Sequence, residues 1–294
     1  MGRALVAALT RASADVYVVS RQPGPRHLSW EEVATRGLPD RTTAVINVAG
    51  LGILDAPFAD RKGDGFWQEV VASRVHTTQL LTRALLRLPP PATAPRLLAV
   101  ISGVGFYPYS ETATYDESSA GGEGNFFAEL TRDWEAASQL PPQHPTRRVL
   151  IRSGVVLGPG GGIVSRLFWP FFAGVGGPIG WRGEQFFPFI SLEDLVRLFL
   201  FAVQEERVTG ILNGVSPHVV RNRDFARAFG SAMRRPALLP FPDPLVHLLF
   251  GERRAHLLLR GMRVLPTRVQ QLGFTYSFPD VADACRYALL PTNQ

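Results

Sequence analysis

The sequence predicts an α/β protein: a doubly wound parallel sheet followed by a small, mainly helical domain. Three observations carry this. Strand-like apolar runs and helical periodicities alternate four times over about the first 150 residues, the pattern that lays helices on both faces of a parallel sheet. The strand-like runs are continuous, as in strands covered on both faces. The chain has 294 residues, 46% of them hydrophobic and 19% charged, which is enough apolar material for a core and excludes a disordered chain.

The elements follow in order. Leu5, Val6 and Leu9 sit at helical spacing within residues 3–13. Asp15 to Ser20 reads as a buried strand, and Gln22 to His27 as a Pro- and Gly-rich loop. Ser29 with Glu32 three residues on is a capping signature for a helix start. Thr43 to Ala49 is a second strand. Val70, Val71, Leu80, Leu81, Leu85 and Leu88 predict one long crossover helix from Phe66 to Leu88, stopped by Pro89, Pro90 and Pro91. Leu97–Ser102 is a third strand, Phe126–Leu140 a helix, and Arg148–Ser153 a fourth strand. Beyond Gly158 the chain reads as loops and short strands up to Phe189. Then come a helix over Leu192–Val203, a strand over Gly210–Asn213 and a helix over Phe225–Met233. A helical tail starts near Pro240 and ends with a helix over Val281–Leu289. The predicted domains are 1–214, with a substrate-side insertion at 164–191, and 215–294.

Charge and cysteine content narrow the function classes. Lys plus Arg number 31 against 25 acidic residues, a net +6, and Lys62 is the one lysine. The arginines are scattered singly and in pairs, not clustered between aromatics, so no nucleic-acid partner is expected. One cysteine, Cys285, excludes an internal disulfide framework and suits a reducing compartment. The longest apolar stretch, Leu167 to Trp181, is short and broken by Pro170 and Pro178, so no membrane partner is expected. No signal peptide is read at the N-terminus, and the expected location is intracellular, in the cytoplasm or the mitochondrion. The six histidines show no metal-ligand spacing, so no metal site is expected. Gly158 to Gly162 lacks the G-K-[ST] of a phosphate loop, and Asp116-Glu117 reads as a solvated turn.

Ligands of a doubly wound sheet sit beyond the carboxyl ends of its strands. Ser20-Arg21 follows the first strand; an arginine there suits a ribose 2'-phosphate, and a solvated loop arginine is the plain alternative. Asn47-Val48-Ala49-Gly50 follows the second and would let a dinucleotide pass close, or is simply a turn. Ser102 to Tyr107 follows the third and offers a hydroxyl and a phenol, or a tight turn with a half-buried Tyr. Arg152 to Pro159 follows the fourth.

Together these segments resemble the extended, epimerase/dehydratase form of the short-chain dehydrogenase/reductases. Ser73 to Thr78, Asp133 to Ala136, Gly176 to Gly180, Gln185 to Ile190, Asn213 to Pro217 and the tail motifs Val264-Leu265-Pro266 and Gly273-Phe274 narrow the resemblance. It is to the atypical subfamily of "epimerase family proteins" with a C-terminal domain of unknown function. The resemblance spans essentially the whole chain. It implies a Rossmann-like fold and NADP as cofactor. Ser20 and Arg21 would hold the 2'-phosphate, Val48 and Ala49 would line the cofactor, and Glu69 and Arg74 would reach it from one face of the long helix. Val156 would lie near the nicotinamide, and Gly2 would open a helix N-terminus toward the pyrophosphate.

Two departures from that pattern matter. The family begins with a strand and a glycine-rich turn, whereas Met1-Gly2 aligns with the end of that turn. The expected fold therefore lacks its first strand and most of the glycine motif, and the chain is expected to be an N-terminally shortened product. The second departure is catalytic: Phe127 and Thr131 occupy the positions of the usual Tyr and Lys, leaving Ser102 and Tyr107 as candidate catalytic groups. The expected function is an NADP-dependent oxidoreductase or epimerase-like protein acting on a small molecule the sequence does not name. The alternative is a non-catalytic NADP-binding sensor or interaction module. Self-association into a homo-oligomer is left open.

Overall fold

The computed structural model describes residues 1–22, 24–54, 65–89 and 96–291. Lys62, Pro90 and Pro91 lie outside these. The central sheet has four parallel strands in the order β3 (Ala44–Asn47), β4 (Leu97–Gly103), β6 (Arg147–Ser153) and β9 (Gly210–Gly214). Its strands carry the core: Leu98, Ala99, Val100, Val149, Ile151 and Leu212 have no accessible surface. Helices α1 (Gly2–Arg11), α2 (Trp30–Arg36), α5 (Phe126–Ala136) and α7 (Leu192–Gln204) complete the layers. The parallel α/β architecture is as the sequence predicts. Ser29 caps α2 as expected: its Oγ accepts from the Glu32 amide at 3.1 Å while its own amide donates to Glu32 Oε2 at 2.8 Å.

The sheet is divided. The first predicted strand is only β1 (Val18–Val19), and it pairs in parallel with β2 (His27–Leu28), which the sequence reading assigned to the end of a loop. Neither strand pairs with β3. The ladder shows which groups this leaves over. The Leu97 amide donates to Thr43 O at 3.0 Å, so Val45 and Asn47 turn their backbone groups toward β4 while Ala44 and Ile46 turn theirs away. On β1, the Val18 and Ser20 amides go to Arg26 O and Leu28 O, which turns Val19 toward the split. Among the described residues no strand lies against either edge.

Three further elements depart from the sequence reading. The crossover is two helices, α3 (Gly65–Ala72) and α4 (Val75–Leu86). The break has a local cause. Ser73 Oγ donates to the Val70 carbonyl at 2.9 Å and Arg74 Nη1 does so at 3.2 Å, so the Arg74 amide turns to Val71 O instead. The stretch read as loops contains α6 (Gly162–Phe172), with Pro170 near its end. Glu117, read as solvated, is tied in: its carboxylate accepts from the amides of Asn213 and Arg268, each at 3.0 Å.

The C-terminal segment packs back onto the first. β10 (Arg263–Val264) pairs with β5 (Thr114–Tyr115), and β7 (Val155–Leu157) with β8 (Phe189–Ser191). Asp194, fully buried, accepts from the Ser277 and Phe278 amides at 2.6 and 2.9 Å. Phe171, Phe187 and Phe189 share a core with Phe225 and Phe229 of α8 (Asn222–Ala232) and with Ala284 and Cys285 of the last helix, Val281–Ala288. Between these two helices run α9 (Asp243–Leu259) and α10 (Thr267–Gln271).

The divided sheet makes a residue-level prediction. Amide exchange should be faster at Ala44 and Ile46 than at Val45 and Asn47 by NMR. Uniform protection along β3 would mean that a strand occupies that edge.

Candidate functional site

The carboxyl ends of the central strands carry one buried polar network. The ladder places Ser102 beside Arg152 and Arg152 beside Asn213, in a row across three strands. Glu135 reaches this row from α5, held by the Asn125 cap, whose Oδ1 accepts from the Ala128 amide at 2.9 Å. The Glu135 carboxylate takes Arg152 Nε and Nη2 in a fork, each at 2.8 Å, and Ser102 Oγ donates to it at 2.9 Å. Arg152 Nη1 donates to Tyr107 Oη at 3.1 Å, and that hydroxyl donates to Asn213 Oδ1 at 2.8 Å. The Arg152 guanidinium also lies 3.4 Å from the centroid of the Phe106 ring.

Burial alone would lower the Arg152 pKa, yet the hydrogen bonds and charge of Glu135 hold it above its ordinary value. Burial raises the Tyr107 phenol, against the opposing pull of Arg152. The two candidate catalytic residues are thus brought together, but through Arg152 and Glu135. Both are buried, Tyr107 fully. Phe127 and Thr131 are buried as well, with Thr131 Oγ1 donating to Phe127 O at 2.7 Å.

The second focus is the turn after β3. Asn47 Oδ1 accepts from the Ala49 amide at 3.0 Å, and its Nδ2 donates to Thr78 Oγ1 at 2.8 Å. Thr78 in turn donates to Arg74 O at 2.6 Å and accepts from the Trp134 indole at 3.1 Å. Val48 and Ala49 are half-buried beyond this anchor. A Cβ built on Gly2 would lie 4.0 Å from Val48, so the first turn of α1 sits beside it. That turn has no side-chain cap, which leaves its amides for an anion.

Arg74 is the unusual group. It is 8% exposed. Its Nη2 donates to Leu51 O at 2.9 Å, its Nη1 to Val70 O and Ser73 Oγ, and its guanidinium lies over Trp134. Among the described residues all of these partners are neutral. Burial lowers its pKa to about 10. A Cβ on Gly50 would come within 3.2 Å of its Cζ, so the guanidinium sits directly under that backbone.

The remaining candidates are dispersed. Glu69 is exposed on α3 and does not share a helix face with Arg74 as expected, because the break at Ser73–Arg74 separates them. Ser20 is half-buried after β1, its Oγ accepting from the Gln22 amide at 3.0 Å, and Arg21 is exposed. Val156 is half-buried in β7 opposite Ile190. The sequence reading did not single out Asn47, Thr78, Glu135, Arg152 or Asn213 for these roles. Among the described residues no His, Cys, Asp and Glu cluster fits a metal, and no helix is long and apolar enough to cross a membrane.

The Arg152–Glu135 pair sets a stability prediction. Glu135→Gln leaves a buried guanidinium without its counter-charge and should cost about 3–5 kcal/mol in denaturant unfolding. A cost under about 1 kcal/mol would mean that the pair is solvated or replaceable.

With this geometry in place, comparison with known proteins identifies relatives. Residues 241–288 match a family model described as a domain of unknown function, DUF1731. The chain is 44% identical over 287 residues to the epimerase family protein SDR39U1 of Bos taurus, covering 97% of this chain and 95% of that one. A chloroplastic homologue from Arabidopsis thaliana is 36% identical, covering 87% and 71%. A crystal structure of human SDR39U1 (isoform 2) with NADPH superposes with a TM-score of 0.90 at 42% identity, covering 97% of this chain and 94% of that one. A nucleoside-diphosphate sugar epimerase from Corynebacterium glutamicum, at 24% identity and TM-score 0.74, covers 98% of this chain and 55% of that one, and shares the fold. With this identity along nearly its whole length, the chain belongs to the family of epimerase family protein SDR39U1.

Proposed function

We propose that this chain binds NADP(H) at the carboxyl end of the sheet and acts as an oxidoreductase or epimerase-like enzyme on a small molecule. The observation that carries the reading is Arg74: a buried cation, under the Gly50 backbone, whose described partners are all neutral. Such a group is stabilised by an anion placed against it, and a phosphate of a bound dinucleotide would supply one. The donor set fits. The uncapped first turn of α1, opened by Gly2, suits the pyrophosphate, and exposed Arg21 beside Ser20 suits the 2'-phosphate. Val48 and Ala49 offer a close, small-residue floor. The human relative crystallised with NADPH supports the same choice of cofactor. Bound there, NADP(H) would supply hydride-transfer chemistry. In this reading Tyr107 handles a proton at its phenolic oxygen, which requires that oxygen to leave Asn213, and Ser102 orients the reacting group.

A second reading is favoured by one observation. Both hydroxyls are committed to the internal network, Ser102 to Glu135 and Tyr107 to Asn213 and Arg152. A chain that keeps them so binds NADP(H) without turnover, as a sensor or interaction module.

Two measurements test these readings. Arg21→Ala should weaken NADPH by roughly 10- to 100-fold, the loss of charged hydrogen bonds to one phosphate, and leave NADH nearly unchanged. Equal losses would show that the cofactor lies elsewhere. NADPH absorbance against a panel of carbonyl compounds and sugar nucleotides separates enzyme from sensor. Turnover abolished by Tyr107→Phe supports the enzyme, and tight binding with no turnover across the panel supports the sensor.

A further inference from the structure

Exposed apolar side chains are not spread evenly over this molecule. Of the eleven large exposed hydrophobic residues among those described, eight lie on two segments that run side by side. The first segment is the end of α6 and the loop after it, and carries Trp169, Phe172, Val175 and Trp181, which are 69%, 47%, 58% and 63% exposed. The second runs from the loop after α8 into the first turns of α9 and carries Leu238, Leu239, Leu245 and Leu248, which are 80%, 54%, 37% and 59% exposed.

The contacts that align the two segments are specific. Arg235 Nε donates to Phe172 O at 2.9 Å and its guanidinium lies over that ring. The Gly177 backbone abuts Leu239, since a Cβ there would strike its carbonyl. Gly180 and Phe241 exchange backbone bonds with this strip, Gly180 N to Phe241 O at 2.9 Å and Phe241 N to Pro178 O at 2.8 Å. The Trp181 amide donates to Asp243 Oδ1 at 3.1 Å. The two segments therefore run side by side along one region of the surface.

Its charge is one-sided. Arg182, Arg234 and Arg235 are exposed along the two segments, while Asp243 accepts from the Trp181 amide and Glu184 pairs with Arg221 and Arg223. A soluble surface seldom leaves so many large apolar groups together without a partner. Trp and Phe rimmed by Arg match the headgroup region of a bilayer, where amphipathic rings and cations are both favoured. Self-association through this face would set the same three arginines against each other, which disfavours a second copy.

We propose that this face is a peripheral docking surface for an anionic lipid bilayer, with Trp169, Trp181 and Leu238 entering the interface and Arg182, Arg234 and Arg235 meeting acidic headgroups. No segment spans the bilayer in this mode. The sequence expectation of no membrane partner rested on spanning length and does not address it. The proposal is independent of the cofactor reading, since none of these residues belongs to the proposed NADP(H) site.

Co-sedimentation of the full chain with vesicles tests it, using phosphatidylcholine alone and phosphatidylcholine mixed with phosphatidylserine. The chain should partition onto the mixed vesicles and be released by salt. Arg182→Glu with Arg234→Glu should lower that partition by more than about tenfold. Trp169→Ser with Leu238→Ser should do the same without changing the unfolding midpoint, because both side chains are exposed. No partition onto mixed vesicles overturns the proposal, as does equal, salt-insensitive binding to both kinds. Concentration-dependent self-association that Trp169→Ser abolishes, with vesicles left unbound, overturns it in favour of a second copy.

Discussion

A guanidinium set between the carboxyl ends of the central strands has to be neutralised on the spot, and Glu135 does this for Arg152 from α5. The consequence spreads outward. The Glu135 fork fixes the height of α5 over the sheet, the Tyr107 hydroxyl fixes the turn after β4, and Asn213 fixes the end of β9. Asn213 and Glu117 then bind the start of α10, through the Leu265 carbonyl and the Arg268 amide. One charge pair thus holds together the sheet, a crossing helix and the C-terminal segment. A buried pair of this kind adds little net stability over an apolar core, but breaking it by removing one partner is costly.

Arg74 is the counterpart that lacks such a partner. The two arginines are similarly buried and both lie against aromatic rings, yet Arg152 is held above its ordinary pKa and Arg74 below it. Arg152 is answered inside the fold by a carboxylate. Arg74 is answered by carbonyls, a hydroxyl and an indole face. The same hydrogen bonds that place Arg74 also divide the crossover into α3 and α4 and hold the Asn47–Gly50 turn. Local structure at this point is shaped around a cation rather than around helix continuity.

Much of the fold was legible in the sequence because it depends on pattern. Continuous apolar runs located β3, β4 and β6, and the Ser29–Glu32 spacing located the start of α2 to the residue. The division of the crossover was not legible. The apolar periodicity runs through Ser73–Arg74 unbroken, and only side-chain capture of the Val70 carbonyl interrupts it. Helix α6 was hidden because its flanking glycines and Pro170 look like loop punctuation. Among the site residues, the turn after β3 was reached from its place at the end of a strand, and Arg74 only through family resemblance. The Arg152–Glu135 fork joins residues 17 apart in sequence, at no spacing that marks a pair. Its partners are assembled by strand register, which single-sequence patterns do not encode.

Thermal unfolding of the wild-type chain and of Arg74→Met, each with and without saturating NADPH, addresses the account most directly. A ligand that supplies the missing counter-charge raises the wild-type midpoint by linkage. NADPH should raise the wild-type midpoint and leave Arg74→Met nearly at its own cofactor-free midpoint. Equal stabilisation of both chains by NADPH would contradict it, because the buried cation would then have no part in holding the cofactor.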